Sequence, residues 1–193
     1  LPSAAVARPR LPVNCETTSC VLLHMPTFTI RDAQPGDELQ VACVHVRTWQ
    51  AAYRGLLPDD YLDALKPEDR ARRYTFADRS PHAPRTQVAF DDAELVGFAT
   101  VRVEAGEPSI GELAALHVEP AHWNRGAGLL LIRAARARLR ECGCRAARLW
   151  LLEGNRRGER FYRIDGWSLD GSRRTDRVWD VDVTEAGMHR DLP

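Results

Sequence analysis

The segment WNRGAGLLLIRAARARLRECG, residues 123–143, sets an Arg-Gly-Ala-Gly turn directly before a long run of helical periodicity. Stepping about 100° per residue, Leu131, Ile132, Ala135, Leu139 and Cys142 share one face, and Arg133, Arg136 and Arg140 share the opposite one. That is the pattern of a surface helix laid against a sheet. The start of such a helix carries unpaired N–H groups and a partial positive charge, which favour an anion. Glycines at 126 and 128 would let the backbone approach a diphosphate closely, and Arg125 offers a charge-assisted contact. Taken by itself the turn is equally a plain helix start. The P-loop pattern is absent, and so is the six-residue dinucleotide fingerprint.

The flanks of this segment alternate in type. Upstream, FTIR (residues 28–31) reads as a short strand broken at Pro35-Gly36-Asp37. Ala42, Val46, Trp49 and Tyr53 then fall on one helical face that ends at Gly55. Residues 57–78 read as a second helical region opened by Pro58-Asp59-Asp60. Gln87–Phe90 and Leu95–Val103 form a hairpin around Asp91-Asp92, and SIGELAALHVEP adds a third strand stopped by Pro120. Leu113, Leu116 and Val118 break strict alternation, which a bulge near Ala114-Ala115 explains. Downstream, Ala146–Glu153 is a nearly continuous apolar run expected of a buried strand. A short helix ended by Gly166 and a last alternating strand, Arg177–Val183, follow. The order predicts one α/β domain: a mixed, mostly antiparallel twisted sheet flanked by helices.

The chain of 193 residues suits one domain with a substantial core. Residues 1–24 show no sustained period and no signal-peptide pattern, so they are expected to be a poorly structured extension of a domain spanning 25–193. The formal net charge of +0 gives no global pull toward nucleic acid or anionic membrane. No run approaches the ~20 apolar residues of a membrane span. The five cysteines are odd in number and lack metal spacing, so free thiols in a reducing cytoplasm are expected, with no bound metal.

LHVEP, WNRGAG, EGN and FYRIDGW, in this order, resemble the GCN5-related N-acetyltransferase (GNAT) family, and WQAAYRGLLPDDYL is similar to the first two helices of a subgroup of it. The likeness covers roughly residues 28–183. It implies the GNAT (acyl-CoA N-acyltransferase) fold and acetyl-CoA as cosubstrate. By resemblance, Leu116, His117 and Val118 present backbone groups to the pantetheine arm, and Arg125, Gly126, Ala127, Gly128 and Leu129 hold the diphosphate. Asn155 bonds the coenzyme's amide region, and Tyr162 lies near the thioester sulfur. Trp123 stands where the family has Gln or Arg, so it is expected to pack rather than bind.

Acetyl transfer to an amine needs a neutral nucleophile, a polarised carbonyl and a proton for the departing thiolate. A phenol of pKa about 10 can donate to a thiolate whose conjugate acid lies near 8.5, which suits Tyr162. A bulge N–H, that of Val118, would polarise the carbonyl. Glu112 is the first candidate base and Glu153 the second; a solvated strand-end carboxylate is the plain alternative for each. No cysteine has a nucleophile's setting, so direct transfer is expected. Trp49 and Tyr53 suit core packing slightly better than an acceptor pocket. His117 and His122 read as structural, and the acids Asp59, Asp60, Asp63, Glu68 and Asp69 as a solvated face.

The leading expectation is an N-acetyltransferase acting on a primary amine of a small molecule or peptide. Rival readings are a non-catalytic acyl-CoA-binding sensor or partner subunit, and a plain interaction domain. Exposed edge strands at the C-terminal end would allow a homodimer.

Overall fold

In the computed structural model, which describes residues 27–78, 80, 83–103, 106–178 and 181–193, a seven-stranded sheet carries helices on both faces. The expected extension at residues 1–24 lies outside the described residues. Among the described residues no helix is long and apolar enough to cross a membrane.

The chain runs β1 (Phe28–Asp32), α1 (Glu38–Ala52), α2 (Asp59–Ala64), α3 (Pro67–Ala71), β2 (Arg85–Asp91), β3 (Glu94–Val103) and β4 (Ile110–Val118). After a short 3-10 turn at Pro120–His122 come α4 (Ala127–Glu141), β5 (Ala146–Leu152), α5 (Arg156–Ile164), β6 (Ser168–Val178) and β7 (Val181–Asp191). The spatial order is β1-β2-β3-β4-β5-β7-β6. Among the described strands only the β4–β5 pair is parallel.

Two expectations need correction. The helical region at 57–78 is two short helices, because the chain turns extended at Leu65-Lys66 ahead of Pro67. The last strand, expected at Arg177–Val183, straddles the passage from β6 to β7. β6 is an edge strand whose residues are nearly all exposed, so no apolar alternation marked it.

The apolar stripe of α4 behaves as its periodicity requires. Leu131, Ile132, Ala135 and Leu139 are buried with Val96, Ala99, Val101 and Leu113. Cys142 is exposed instead, because the helix ends at Glu141. On the other face α1 buries Val41 and Val44 against Val88, Leu95 and Phe98. A third cluster joins Trp49, Leu57 and Leu62 to Val183, tying α1 and α2 to the β6–β7 hairpin.

Two features of β4 place the functional site. The register against β3 shifts between Thr100 and Val101, so Ala114 is an extra residue at the expected bulge. Pairing with β5 covers only Ile110–Glu112 against Ala146–Arg148; beyond that, β5 continues against β7 and β4 diverges from it. The close approach of α4 to β3 requires a glycine. A Cβ at Gly97 would lie 2.9 Å from the His117 carbonyl oxygen and 2.9 Å from Leu131 Cδ1. Gly97→Ala is therefore expected to cost about 1–3 kcal/mol through overpacking, read as a lowered midpoint in thermal or urea unfolding.

Candidate active site

The divergence of β4 from β5 opens a cleft of about 1250 Å³. Its walls come from α1, the second half of β4, the start of α4, α5 and the β6–β7 hairpin. Antiparallel pairing decides which β4 backbone groups face it. The Glu119 N–H donates to the Val96 carbonyl at 2.8 Å, so the Gly97–Val118 pair is of the wide, unbonded kind. Val118 and, two residues earlier, Leu116 therefore turn their N–H groups away from β3, toward the gap. The intervening His117 spends its backbone groups on Phe98. This corrects the expectation for His117: it offers the cleft a side chain and no backbone group. The Val118 carbonyl is taken as well, accepting from Trp123 Nε1 at 2.7 Å and Thr48 Oγ1 at 3.2 Å.

At one end of the gap stands the N-terminus of α4. Gly126 holds φ 102, a left-handed conformation that favours glycine, and no side chain caps the helix. The first intrahelical bonds are those of Leu129 and Leu130 to the Gly126 carbonyl, so the N–H groups of Gly126, Ala127 and Gly128 precede them. Leu129 is thereby corrected: its N–H is spent, and its side chain lines the cleft. Gly128 lets α4 meet α5, since a Cβ there would come 3.3 Å from the Phe161 ring.

Arg125 also departs from expectation. Its guanidinium lies 3.3 Å from Asp91, which His122 also approaches at 3.4 Å, and it does not line the cleft. Arg156, Arg157 and Arg160 of α5 do line the cleft, together with Gly126 and Gly128. The guanidinium of Arg157 sits 3.1 Å from the centroid of Trp123, which packs against the core as anticipated. Asn155 lines the cleft and caps α5, its Oδ1 accepting from the Gly158 N–H at 2.9 Å. These arginines were legible only as part of a polar helix face, because nothing local says which way α5 points.

Tyr162 is buried on α5 and lines the cleft. Burial pushes its phenol above the usual range, and nearby Tyr53 adds to this. Tyr53, packed edge-on against Trp49 with ring centroids 5.0 Å apart, is pushed up to about 12 by burial and then by Glu185. Both phenols are therefore neutral donors at pH 7. Trp49 and Tyr53, read as core, both reach the cleft. Glu185 of β7 was not singled out, although it lines the same wall.

The two carboxylates favoured from sequence lie elsewhere. Glu112 is 5% exposed and sits where β4 and β5 are still paired, its carboxylate gripped by Arg102 at 2.8–3.0 Å. Glu153 is held by Arg173 at 2.6 Å. Neither lines the cleft with Tyr162. Asp59 and Asp63 pair with Arg54 and Asp69 with Arg72 on exposed surface, as expected of a solvated face. Among the described residues no three His, Cys, Asp or Glu side chains are arranged to hold a metal ion.

α1 itself lines the cleft with uncharged side chains, and the Arg70 cation stands against one of them, His45. His45 and His117 stack at 4.3 Å, and His45 Nδ1 meets the Tyr74 hydroxyl at 2.7 Å and accepts from Arg70 at 3.3 Å. Burial, with Arg70 nearby, holds His117 down at about 3, and burial depresses His45 too.

The chain as a whole is similar to known proteins. A family model described as Acetyltransferase (GNAT) family matches residues 47–167. The chain is 29% identical over 131 residues to an uncharacterized N-acetyltransferase of Bacillus subtilis, YuaI, over 66% of this chain and 73% of that protein. The PaiA N-acetyltransferase of Thermoplasma acidophilum, solved in complex with coenzyme A, superposes with a TM-score of 0.67 at 20% identity, over 86% of this chain and 99% of that one. A GCN5-related N-acetyltransferase of Rhodopseudomonas palustris gives a TM-score of 0.69 at 20% identity, over 87% and 98%. The two structural likenesses establish the shared fold.

The buried histidines generate a pH prediction. Below about pH 6.5 the unfolded chain binds protons that the folded one refuses at His45 and His117. Stability is thus kept above that pH and lost on acidification below it, toward about 3 in the case of His117, at up to about 1.4 kcal/mol per pH unit for each imidazole. Urea unfolding between pH 7 and 5 checks this: His117→Asn should flatten the slope by about one proton.

Proposed function

The chain belongs to the GCN5-related N-acetyltransferase (GNAT) family, and on that premise we propose that it moves the acetyl group of acetyl-CoA directly to a primary amine of a small molecule or peptide. The observation that carries this reading is a neutral, buried Tyr162 lining the same gap as the outward N–H groups of Leu116 and Val118.

The residues fit the coenzyme. An arm bearing amides pairs naturally with the free backbone edge of β4, as an added strand does. The amides of Gly126, Ala127 and Gly128 then meet the diphosphate at a helix N-terminus. Arg157 and Arg160 supply the charge that Arg125 gives to Asp91. Asn155, with Oδ1 committed to its cap, has Nδ2 left to donate toward the arm.

In the reaction a C–N bond forms and the C–S bond breaks. The Val118 N–H donates to the thioester carbonyl as negative charge grows there. Tyr162 donates a hydrogen bond to the departing sulfur, and its raised pKa keeps the proton available for that bond at neutral pH. The proton lost by the attacking nitrogen ends on the thiol, so neither metal nor covalent enzyme intermediate is required. Arg102 keeps Glu112 in a structural role.

Calorimetry with acetyl-CoA and thiol release with a panel of primary amines test the proposal. Saturable 1:1 binding and amine-dependent thiol release are expected. Absence of binding overturns it, and binding without transfer to any amine makes the chain a non-catalytic acyl-CoA-binding protein. Tyr162→Phe should lower kcat by about 10²-fold or more while the Kd for acetyl-CoA changes little. Unchanged turnover removes Tyr162 from the chemistry. Arg157→Ala with Arg160→Ala should weaken acetyl-CoA binding, measured by the same calorimetry, whereas Arg125→Ala should not.

A further inference from the structure

Where the β6–β7 hairpin lines the cleft, a paired acid and cation, Glu185 and Arg174, and the rings of Tyr53 and Trp150 are left unassigned by the transfer chemistry above. Glu185 and Asp165 are the acidic side chains on the cleft wall among the described residues. Asp165 is fully engaged: Arg136 lies at 3.2 Å, Arg190 at 3.6 Å, and Trp167 Nε1 donates to it at 3.1 Å. Glu185 differs. Its side chain is 14% exposed, and one oxygen, Oε2, accepts from Arg174 Nε at 2.8 Å. It lines the cleft with Tyr53 and Tyr162, and it acts electrostatically on Tyr53, which in turn acts on Tyr162.

Arg174 is held at two places. Besides Glu185 it reaches Asp176 with Nη2 at 3.5 Å, and Asp176 is half exposed on the outer part of β6. Its guanidinium also lies 4.4 Å from the centroid of the Trp150 ring. A cation thus already sits between a carboxylate and an indole face on the cleft wall, with a second carboxylate within reach outside. An ammonium ion asks for the same surroundings: one carboxylate and the faces or hydroxyls of Trp and Tyr.

We infer that Glu185, with Tyr53 and Trp150, forms the subsite that receives the acceptor's ammonium group, and that Arg174 is a resident counter-ion which yields Glu185 to the acceptor and moves to Asp176. The inference rests on the transferase reading. It names the acceptor class as an alkyl or peptidyl primary amine that arrives protonated; the ammonium gives its first proton to the Glu185 carboxylate, and thence to solvent, and the neutral amine so formed attacks and loses its second proton to the thiol. It also makes Arg174 a positioning residue with an unusual sign: its removal relieves competition for Glu185.

The test uses the whole chain and thiol release from acetyl-CoA with n-butylamine, benzylamine, lysine, spermidine and a tripeptide, continuing with the amine that turns over fastest. Glu185→Gln should raise the amine KM about 10-fold or more, the scale of a lost charged hydrogen bond, while the acetyl-CoA KM stays unchanged. Glu185→Asp should fall between the two. Arg174→Met should lower the amine KM instead. A merely structural ion pair predicts that the two partners' variants shift KM in the same direction, or not at all, and either result overturns the subsite. An unchanged Kd for acetyl-CoA certifies that each variant is folded; if Glu185→Gln fails this check, Glu185→Asp and Arg174→Met decide alone. Absence of thiol release by the wild-type chain with every amine overturns the transferase reading and the subsite together. Turnover with an amine KM insensitive to Glu185 overturns only the subsite.

Discussion

A strand that leaves its neighbour is the constraint on which the rest of this structure depends. β4 pairs with β5 at Ile110–Glu112 and then departs, with Ala114 inserted as an extra residue on its far side. A backbone N–H cannot be buried without a partner at low cost, so the outward groups of Leu116 and Val118 must face solvent or a ligand. The fold keeps the gap from closing. The N-terminus of α4 stands at its mouth, α5 braces it through the contact of Gly128 with Phe161, and β5 is satisfied on its other edge by β7. Polar backbone, a helix terminus and a buried phenol converge on one cleft for that reason.

The cleft is rich in arginine. α5 lines it with Arg156, Arg157 and Arg160, and Arg70, Arg73, Arg174 and Arg177 line it as well, a concentration of positive charge in a chain whose formal net charge is +0. The α1 side presents His45 and His117, which burial keeps uncharged, and the neutral phenols of Tyr53 and Tyr162. In the proposed reaction the backbone N–H groups and neutral phenols would act where low polarity strengthens each hydrogen bond to developing charge.

Much of the fold was legible because its signals are local. Helical periodicity marked α4, the turn at Asp91-Asp92 marked the β2–β3 hairpin, and the break in alternation at Leu113, Leu116 and Val118 marked the bulge. β6 was not legible, since an exposed edge strand buries too little to leave a pattern. The site divides along the same line. Groups offered by the backbone at a turn, as at Gly126–Gly128, follow from the turn. The direction of a charged side chain depends on partners far along the chain. Arg125 is drawn to Asp91 and Glu112 to Arg102, and Glu185 reaches the cleft only because β7 inserts between β5 and β6. Strand-end carboxylates look alike until a cross-strand arginine is seen to claim one.

Hydrogen–deuterium exchange resolved to single amides, with and without saturating coenzyme A, tests most directly whether the gap in the sheet is the coenzyme site. Exchange should slow at Leu116, Val118, Gly126, Ala127 and Gly128. His117, already bonded to β3 through its backbone, should hold its rate. Protection that skips Leu116 and Val118, or that appears at His117 in their place, would contradict the account.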